Sequence, residues 1–150
     1  MSNQYLDCYR RVSTTQQKGK GNSLQVQLDL GKKVSKKIKL KFRDRNEGSH
    51  SSTIGYREVL EDLKDDIEKG KVKNIWTQDR SRMFRDLTDS IIFRREYLQK
   101  YDVTLYEGDH CREVKFDTPQ ETMMYDIWSR FQQGENEYLD ELWYETKVNS

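Results

Sequence analysis

The chain has 150 residues, the length of one domain with one core. Charged residues make up 35% of it and hydrophobic residues 33%, so that core is small for the length. The 27 basic and 26 acidic side chains leave a net charge of +1, which excludes a global pull toward nucleic acid and leaves any DNA contact to a local patch or another domain.

Residues 4–9 read as a first strand, with Tyr5, Leu6, Cys8, Tyr9 and Val12 supplying apolar positions. The strand runs into Tyr9-Arg10-Arg11-Val12-Ser13-Thr14, and a polar loop, Thr15 to Asn22, follows. A serine after a first strand lies where open α/β sheets put their chemistry. Its hydroxyl can act as a nucleophile, and the guanidinium of Arg11 can hold a phosphate by paired hydrogen bonds. A turn or helix cap is the plainer account of the same serine when the stretch is taken alone.

Asn22 or Ser23 then caps a helix with a broken apolar stripe of Leu24, Leu28, Leu30 and Val34. Gln27 falls in its first turns, and its spacing alone marks a solvated polar residue. Ile38 to Phe42 alternates apolar and basic, as a half-buried edge strand does. Arg43 to Thr53 reads as a loop of small polar residues, of a kind that faces phosphate or simply moves. Tyr56 to Lys69 is an amphipathic helix ended by Gly70, and Val72 to Thr77 is a strand.

A second polar cluster, Gln78 to Asp86, follows that strand. Arg82 and Arg85 are three apart and share a face if the segment is helical. Two guanidiniums on one face can stabilise charge developing on a phosphoryl group. Surface pairing with Asp79 and Asp86 is the plainer account. Leu87 to Lys100 reads as a helix, Val103 to Tyr106 as a strand and Glu107 to Thr118 as a polar loop. Thr118 and Pro119 open a long helix running from about Gln120 toward Glu145, whose Met124, Ile127, Phe131, Tyr138 and Leu142 stripe is widened by Met123, Trp128, Leu139 and Trp143. Such a helix suits an oligomer interface.

The two cysteines make neither a disulfide framework nor a zinc site: Cys8 reads as buried filler, and Cys111 sits beside His110 in a polar loop. No apolar run nears the ~20 residues of a membrane span, and the amino terminus has no signal-peptide core. A cytoplasmic protein with no cofactor, no metal and no membrane partner is expected. The alternation of strands and helices predicts an α/β fold, a mostly parallel central sheet with flanking helices. Ser13, the loop near Ser49 and the Arg82/Arg85 cluster all follow strand ends and should share one surface.

Taken together, these stretches resemble the catalytic domain of the serine site-specific recombinases, the resolvase/invertase family, in its larger integrase-type form. Tyr9 to Thr14 is similar to the family's opening Tyr-x-Arg-Val-Ser-Thr, and Ser23 to Gln27 to its Ser-Leu-x-x-Gln. Phe42-Arg43-Asp44 with Gly48-Ser49 resembles its second-strand loop. Asp79 to Asp86 resembles its Asp-x-Ser-Arg-x-x-Arg-Asp variant, and Phe131 to Glu135 a region of its long helix. Each motif is weak alone, but the five stand in the family's order.

The resemblance implies that Ser13 attacks a DNA phosphodiester, giving a 5′-phosphoserine link and a free 3′-hydroxyl, then strand exchange and rejoining without a metal. It implies Arg11, Arg82 and Arg85 on the scissile phosphate, Gln27 beside the serine, and Asp44, Ser49, Asp79, Ser81 and Asp86 supporting the loops. It implies double-stranded DNA as partner, a homodimer, and a tetramer in the synaptic complex. Residues 1–118 would form the catalytic core and 119–150 an oligomerisation helix and tail, with the family's DNA-binding domain outside this chain. One departure stands out: Thr53 occupies the place of a further active-site arginine, with Arg45 and Arg57 as possible substitutes. A non-catalytic assembly module of the same fold is the alternative. A small-molecule phosphoryl enzyme is weakened by the lack of a P-loop.

Overall fold

The computed structural model describes residues 4–12, 23–49, 57–84 and 86–132. Ser13, Thr53 and Arg85 lie outside them, as do residues 133–145 of the expected long helix. Five strands form one sheet: β1 (Tyr5–Val12), β2 (Lys41–Ser49), β3 (Asn74–Thr77), β4 (Thr104–Glu107) and β5 (Arg112–Val114). Their order is β2-β1-β3-β4-β5. The first four are parallel, and β5 returns antiparallel to β4. The mostly parallel α/β sheet expected from the sequence is therefore present, with β2 at an edge.

The two faces of β1 explain the layering. Leu6 and Cys8 face α1 (Leu24–Lys37), where they join Val34, Trp76 and Cys111. Tyr9, on the other face, joins the larger core beneath α2 (Glu58–Glu68) and α4 (Leu87–Phe93). The single turn α3 (Arg80–Met83) lies against the end of β1. Helix α4 continues to Gln99 with a wider, π-helical turn from Arg94, and α5 (Pro119–Gln132) packs on α4 and α3. Among the described residues no helix is long and apolar enough to cross a membrane, and no group of His, Cys, Asp and Glu is placed to hold a metal ion.

Five expectations need correction. Strand β1 continues past Tyr9 to Val12, because Arg10 and Arg11 find buried partners inside the fold. Of Ile38 to Phe42 only Lys41 and Phe42 are strand, since α1 ends at Lys37 and its capping turn takes Ile38 to Leu40. Lys39 takes a left-handed φ of 60°, and the Lys39 and Leu40 N–H groups donate back to the Lys36 and Ser35 carbonyls. The alternation was that of a capping turn whose Ile38 and Leu40 pack on the core.

Arg43 to Ser49 is strand, not loop. Its charges looked like a solvated segment, but Arg43 and Arg45 both bind the buried Asp7 carboxylate, at 2.7 and 2.8 Å. The run Glu107 to Thr118 holds the short β5, and Cys111 within it is buried against the α1 face. Finally, the helix that was to carry both Arg82 and Arg85 ends at Met83, and Phe84 is extended.

In α5 the core takes Tyr125 and Ser129. Met123, Met124, Ile127 and Trp128, the apolar stripe seen in the sequence, face outward and are each about half exposed.

Candidate active site

The site lies at the carboxyl end of β1, and its frame is a β-bulge. Strand β1 pairs with β2 as far as Arg10↔Asn46, and the register then jumps to Arg11↔Gly48. Glu47 is the extra residue, and Gly48 takes a φ of 84° that suits glycine. The bulge turns Glu47 into the interior. Its carboxylate accepts the Tyr9 hydroxyl at 2.9 Å and the Val59 and Leu60 N–H groups at 2.9 and 3.0 Å. Those two amides belong to the first turn of α2, so Glu47 caps the helix and satisfies its orphan donors. Burial, with the Glu47 carboxylate beside it, raises the Tyr9 hydroxyl above its ordinary range, so Tyr9 stays neutral and donates.

Arg11 is 3% exposed. Its Nε donates to the Arg82 carbonyl at 2.8 Å and its Nη2 to the Ser81 carbonyl at 2.6 Å. Arg57, which precedes α2, sends Nη1 to the Met83 carbonyl at 2.8 Å. Three successive carbonyls of one short turn thus hold two guanidiniums. The last carbonyls of a helix have no partner within it and carry its negative end, which makes them natural arginine acceptors. The buried Arg82 side chain stands 3.7 Å from the Asp79 carboxylate.

Burial and the like charges of Arg57 and Arg82 lower the Arg11 guanidinium from its ordinary value to about 10. It therefore remains charged at neutral pH, in a cluster whose positive groups repel one another. An anion placed among them relieves that repulsion.

The remaining candidates support this cluster from below. Gln27, fully buried, accepts the Arg11 N–H at 3.1 Å and donates to the Arg11 carbonyl at 3.0 Å. Asp44 accepts Arg10 Nε and Nη2 at 2.7 and 2.6 Å, and Arg10 Nη1 reaches the Leu24 carbonyl at the start of α1. Asp44 thereby acts through Arg10 on the helix that carries Gln27. Asp79 caps α3, accepting the Ser81 N–H at 2.9 Å, and the Ser81 hydroxyl also donates to it. Asp86 caps α4 by accepting the Asp89 N–H at 2.8 Å. Ser49 ends β2 opposite Val12.

The structure thus brings Arg11, Arg82 and Gln27 together, with Asp79 and Ser81 in the same turn. Asp44 stands one residue back, and Asp86 is at a helix cap. Ser13 and Arg85 lie outside the described residues. Of the two arginines considered for the Thr53 role, Arg45 is committed to Asp7 and to Asp66, while Arg57 joins the cluster. Sequence reasoning missed Arg10 and Glu47. Consecutive arginines on a strand point to opposite faces, which was a usable signal for Arg10. Nothing in the sequence marked Glu47 as the residue of a bulge.

The sequence profile of the resolvase N-terminal domain matches residues 8–147. The chain belongs to the resolvase family. Among solved structures, this resolvase domain is similar to the N-terminal catalytic domain of TP901-1 integrase, at 21% identity and a TM-score of 0.68, covering 92% of this chain and 98% of that one. It is also similar to a resolvase family site-specific recombinase from Streptococcus pneumoniae, at 18% identity and a TM-score of 0.60, covering 97% of this chain and 99% of that one. Both likenesses are of fold. No curated protein matches the chain.

Proposed function

We propose that this resolvase domain is the catalytic domain of a serine recombinase, and that it cleaves and rejoins double-stranded DNA through Ser13. The observation that carries the reading is the buried arginine cluster. Arg11, two residues before Ser13, shares the turn of α3 with Arg82 and Arg57, and the three are close enough to perturb one another.

In this reading the Ser13 oxygen attacks the scissile phosphorus as its proton departs. The bond from phosphorus to the 3′-oxygen breaks, and that oxygen leaves as a 3′-hydroxyl. The 5′-phosphate stays on the serine as an ester, so its bond energy is retained for rejoining. Arg11, Arg57 and Arg82, with Arg85, hold the phosphate and stabilise the extra negative charge of the five-coordinate state. Arginine suits the task because it stays charged while buried and offers paired donors.

Gln27, Asp44, Asp79 and Ser81 position these arginines, and Ser49 and Asp86 support the adjoining loops. The reading includes a core of residues 1–118, an interface helix over 119–150, a dimer, and a tetramer during synapsis. The outward apolar face of α5 supports the assembly part.

The test joins the chain to a sequence-specific DNA-binding module and supplies a nicked duplex that traps cleavage. A denaturing gel should show a covalent protein–DNA adduct that Ser13→Ala abolishes. Absence of adduct under conditions that give a tetramer would leave the non-catalytic assembly module as the better account.

A further inference from the structure

The turn that organises the arginines is itself only four residues long, Arg80–Met83. A single helical turn has almost no stability of its own, so something outside it must fix its orientation. Asp79 caps one end, and the chain leaves in an extended conformation at Phe84. Met83 is buried in the core, and Arg80, 1% exposed, points away from the cluster, into α5 and β4.

Arg80 is held on every side. Its Nη1 donates to the Tyr125 carbonyl at 2.6 Å and to Ser129 Oγ at 2.9 Å. Its Nη2 donates to Glu107 Oε1 at 2.9 Å, and Nε lies 2.7 Å from Glu107 Oε2. Its guanidinium carbon sits 3.8 Å from the centre of the Tyr125 ring. The Ser90 hydroxyl of α4 completes the arrangement, within hydrogen-bond distance of the Tyr125 and Ser129 hydroxyls at 3.0 and 2.8 Å. A planar, permanently charged group satisfied in this way has one orientation. The backbone that follows it, residues 81–83, therefore has one orientation as well. Its carbonyls are the ones that hold Arg11 and Arg57.

We propose that Arg80 is a positioning residue through which α5 and Glu107 fix the α3 turn and, with it, the arginine cluster. This rests on the phosphate-binding reading of the cluster but names a group that touches neither phosphate nor serine. It couples the seating of α5, a helix whose outer face is apolar, to the geometry of the site beneath it. Such a coupling is reciprocal: an anion that tightens the cluster must tighten the seating of α5 by the same free energy.

The test uses the whole 150-residue chain, with hydrogen exchange read at residues 79–84 and sulfate titrated against arginine guanidinium Nε–H signals. Ser129→Ala removes one Arg80 acceptor from α5 and leaves α3 untouched. It should speed exchange at 79–84 several-fold, leave exchange in α2 unchanged, and weaken sulfate binding roughly three- to ten-fold. Arg80→Lys keeps the charge beside Glu107 but loses the fork, and should give the larger effect on both. Sulfate should also slow exchange in α5 of the wild type and do so less in Ser129→Ala.

Wild-type exchange rates at 79–84 in both variants would overturn the proposal. So would altered exchange spread evenly over the chain, which marks a merely structural role. If the wild type binds no sulfate, the phosphate reading fails, and the exchange measurement alone decides the coupling.

Discussion

The side-chain amide of Gln27 makes two hydrogen bonds to one peptide unit, accepting the Arg11 N–H and donating to the Arg11 carbonyl. Arg11 lies beyond Tyr9, the last residue of β1 paired with β3, so the amide supplies what one more rung of a neighbouring strand would. The carboxyl end of β1 is thereby held straight up to the residue that precedes Val12 and Ser13.

Replacing Gln27 with leucine keeps the volume and strands both backbone groups in a fully buried place. Each buried unsatisfied group costs about 1–3 kcal/mol, so Gln27→Leu should lose roughly 2–5 kcal/mol. Urea denaturation reads this directly. A loss below about 1 kcal/mol would show that the end of β1 does not depend on the amide.

The arginine cluster predicts selective stabilisation by anions. A ligand at 100 times its dissociation constant adds about 2.7 kcal/mol of stability. Sulfate should raise the melting temperature of the wild type well above that of Arg57→Gln at the same concentration. General salt exclusion acts on both proteins alike, so the difference isolates the site. Equal shifts in the two would place the binding elsewhere.

Stability should be flat near neutral pH and fall in alkali. Cys8, Tyr9 and Tyr125 are buried, and burial raises all three, Tyr125 to about 12. In the unfolded chain they release protons from about pH 9 to 10 upward. There the folded state binds more protons than the unfolded one, so stability falls as pH rises, by up to about 1.4 kcal/mol per unit for each group. Arg11 has the opposite sign. Burial and its cationic neighbours lower it, so wherever it titrates stability rises with pH. Urea midpoints at pH 7, 9 and 10.5 should be level between the first two and lower at the third. A flat profile to pH 10.5 would contradict the burial of these groups.

Gly31 is the close contact between α1 and the sheet. A Cβ there would stand 3.1 Å from Phe42 Cε2 and 3.2 Å from both Cβ and Sγ of Cys8. Alanine gains about 1 kcal/mol of helix propensity, while overpacking costs about 1–3 kcal/mol. Gly31→Ala should therefore be neutral to destabilised by ~2 kcal/mol, with an unchanged denaturant slope. A stabilised variant would mean that α1 moves freely on β1.

Much of this architecture was legible. Apolar residues at Leu6, Cys8 and Tyr9 and at Ile75 and Trp76 marked β1 and β3, and the Leu60, Leu63, Ile67 stripe marked α2. What misled was charge with a buried partner. Arg43 and Arg45 read as solvent-facing residues of a loop because their partner, Asp7, lies about forty positions earlier in the chain. Gln27 read as a solvated residue because its partner is a peptide group, which leaves no trace in side-chain spacing. Glu47 became visible only when the bulge brought it inward, and nothing in the sequence separated Arg57 from Arg45. Motif order located Arg11 and Arg82, while the carbonyl frame that joins them is a property of the backbone alone.

The central claim is that a phosphate held by Arg11, Arg57 and Arg82 is attacked by Ser13. The most direct measurement is to trap the protein on a nicked duplex, digest protein and DNA, and map the modified peptide by mass spectrometry. A single nucleotide joined through its 5′-phosphate to Ser13, lost in Arg11→Gln and Arg82→Gln, is the predicted result. Attachment at any other residue, or a Ser13 adduct that survives loss of both arginines, would contradict it.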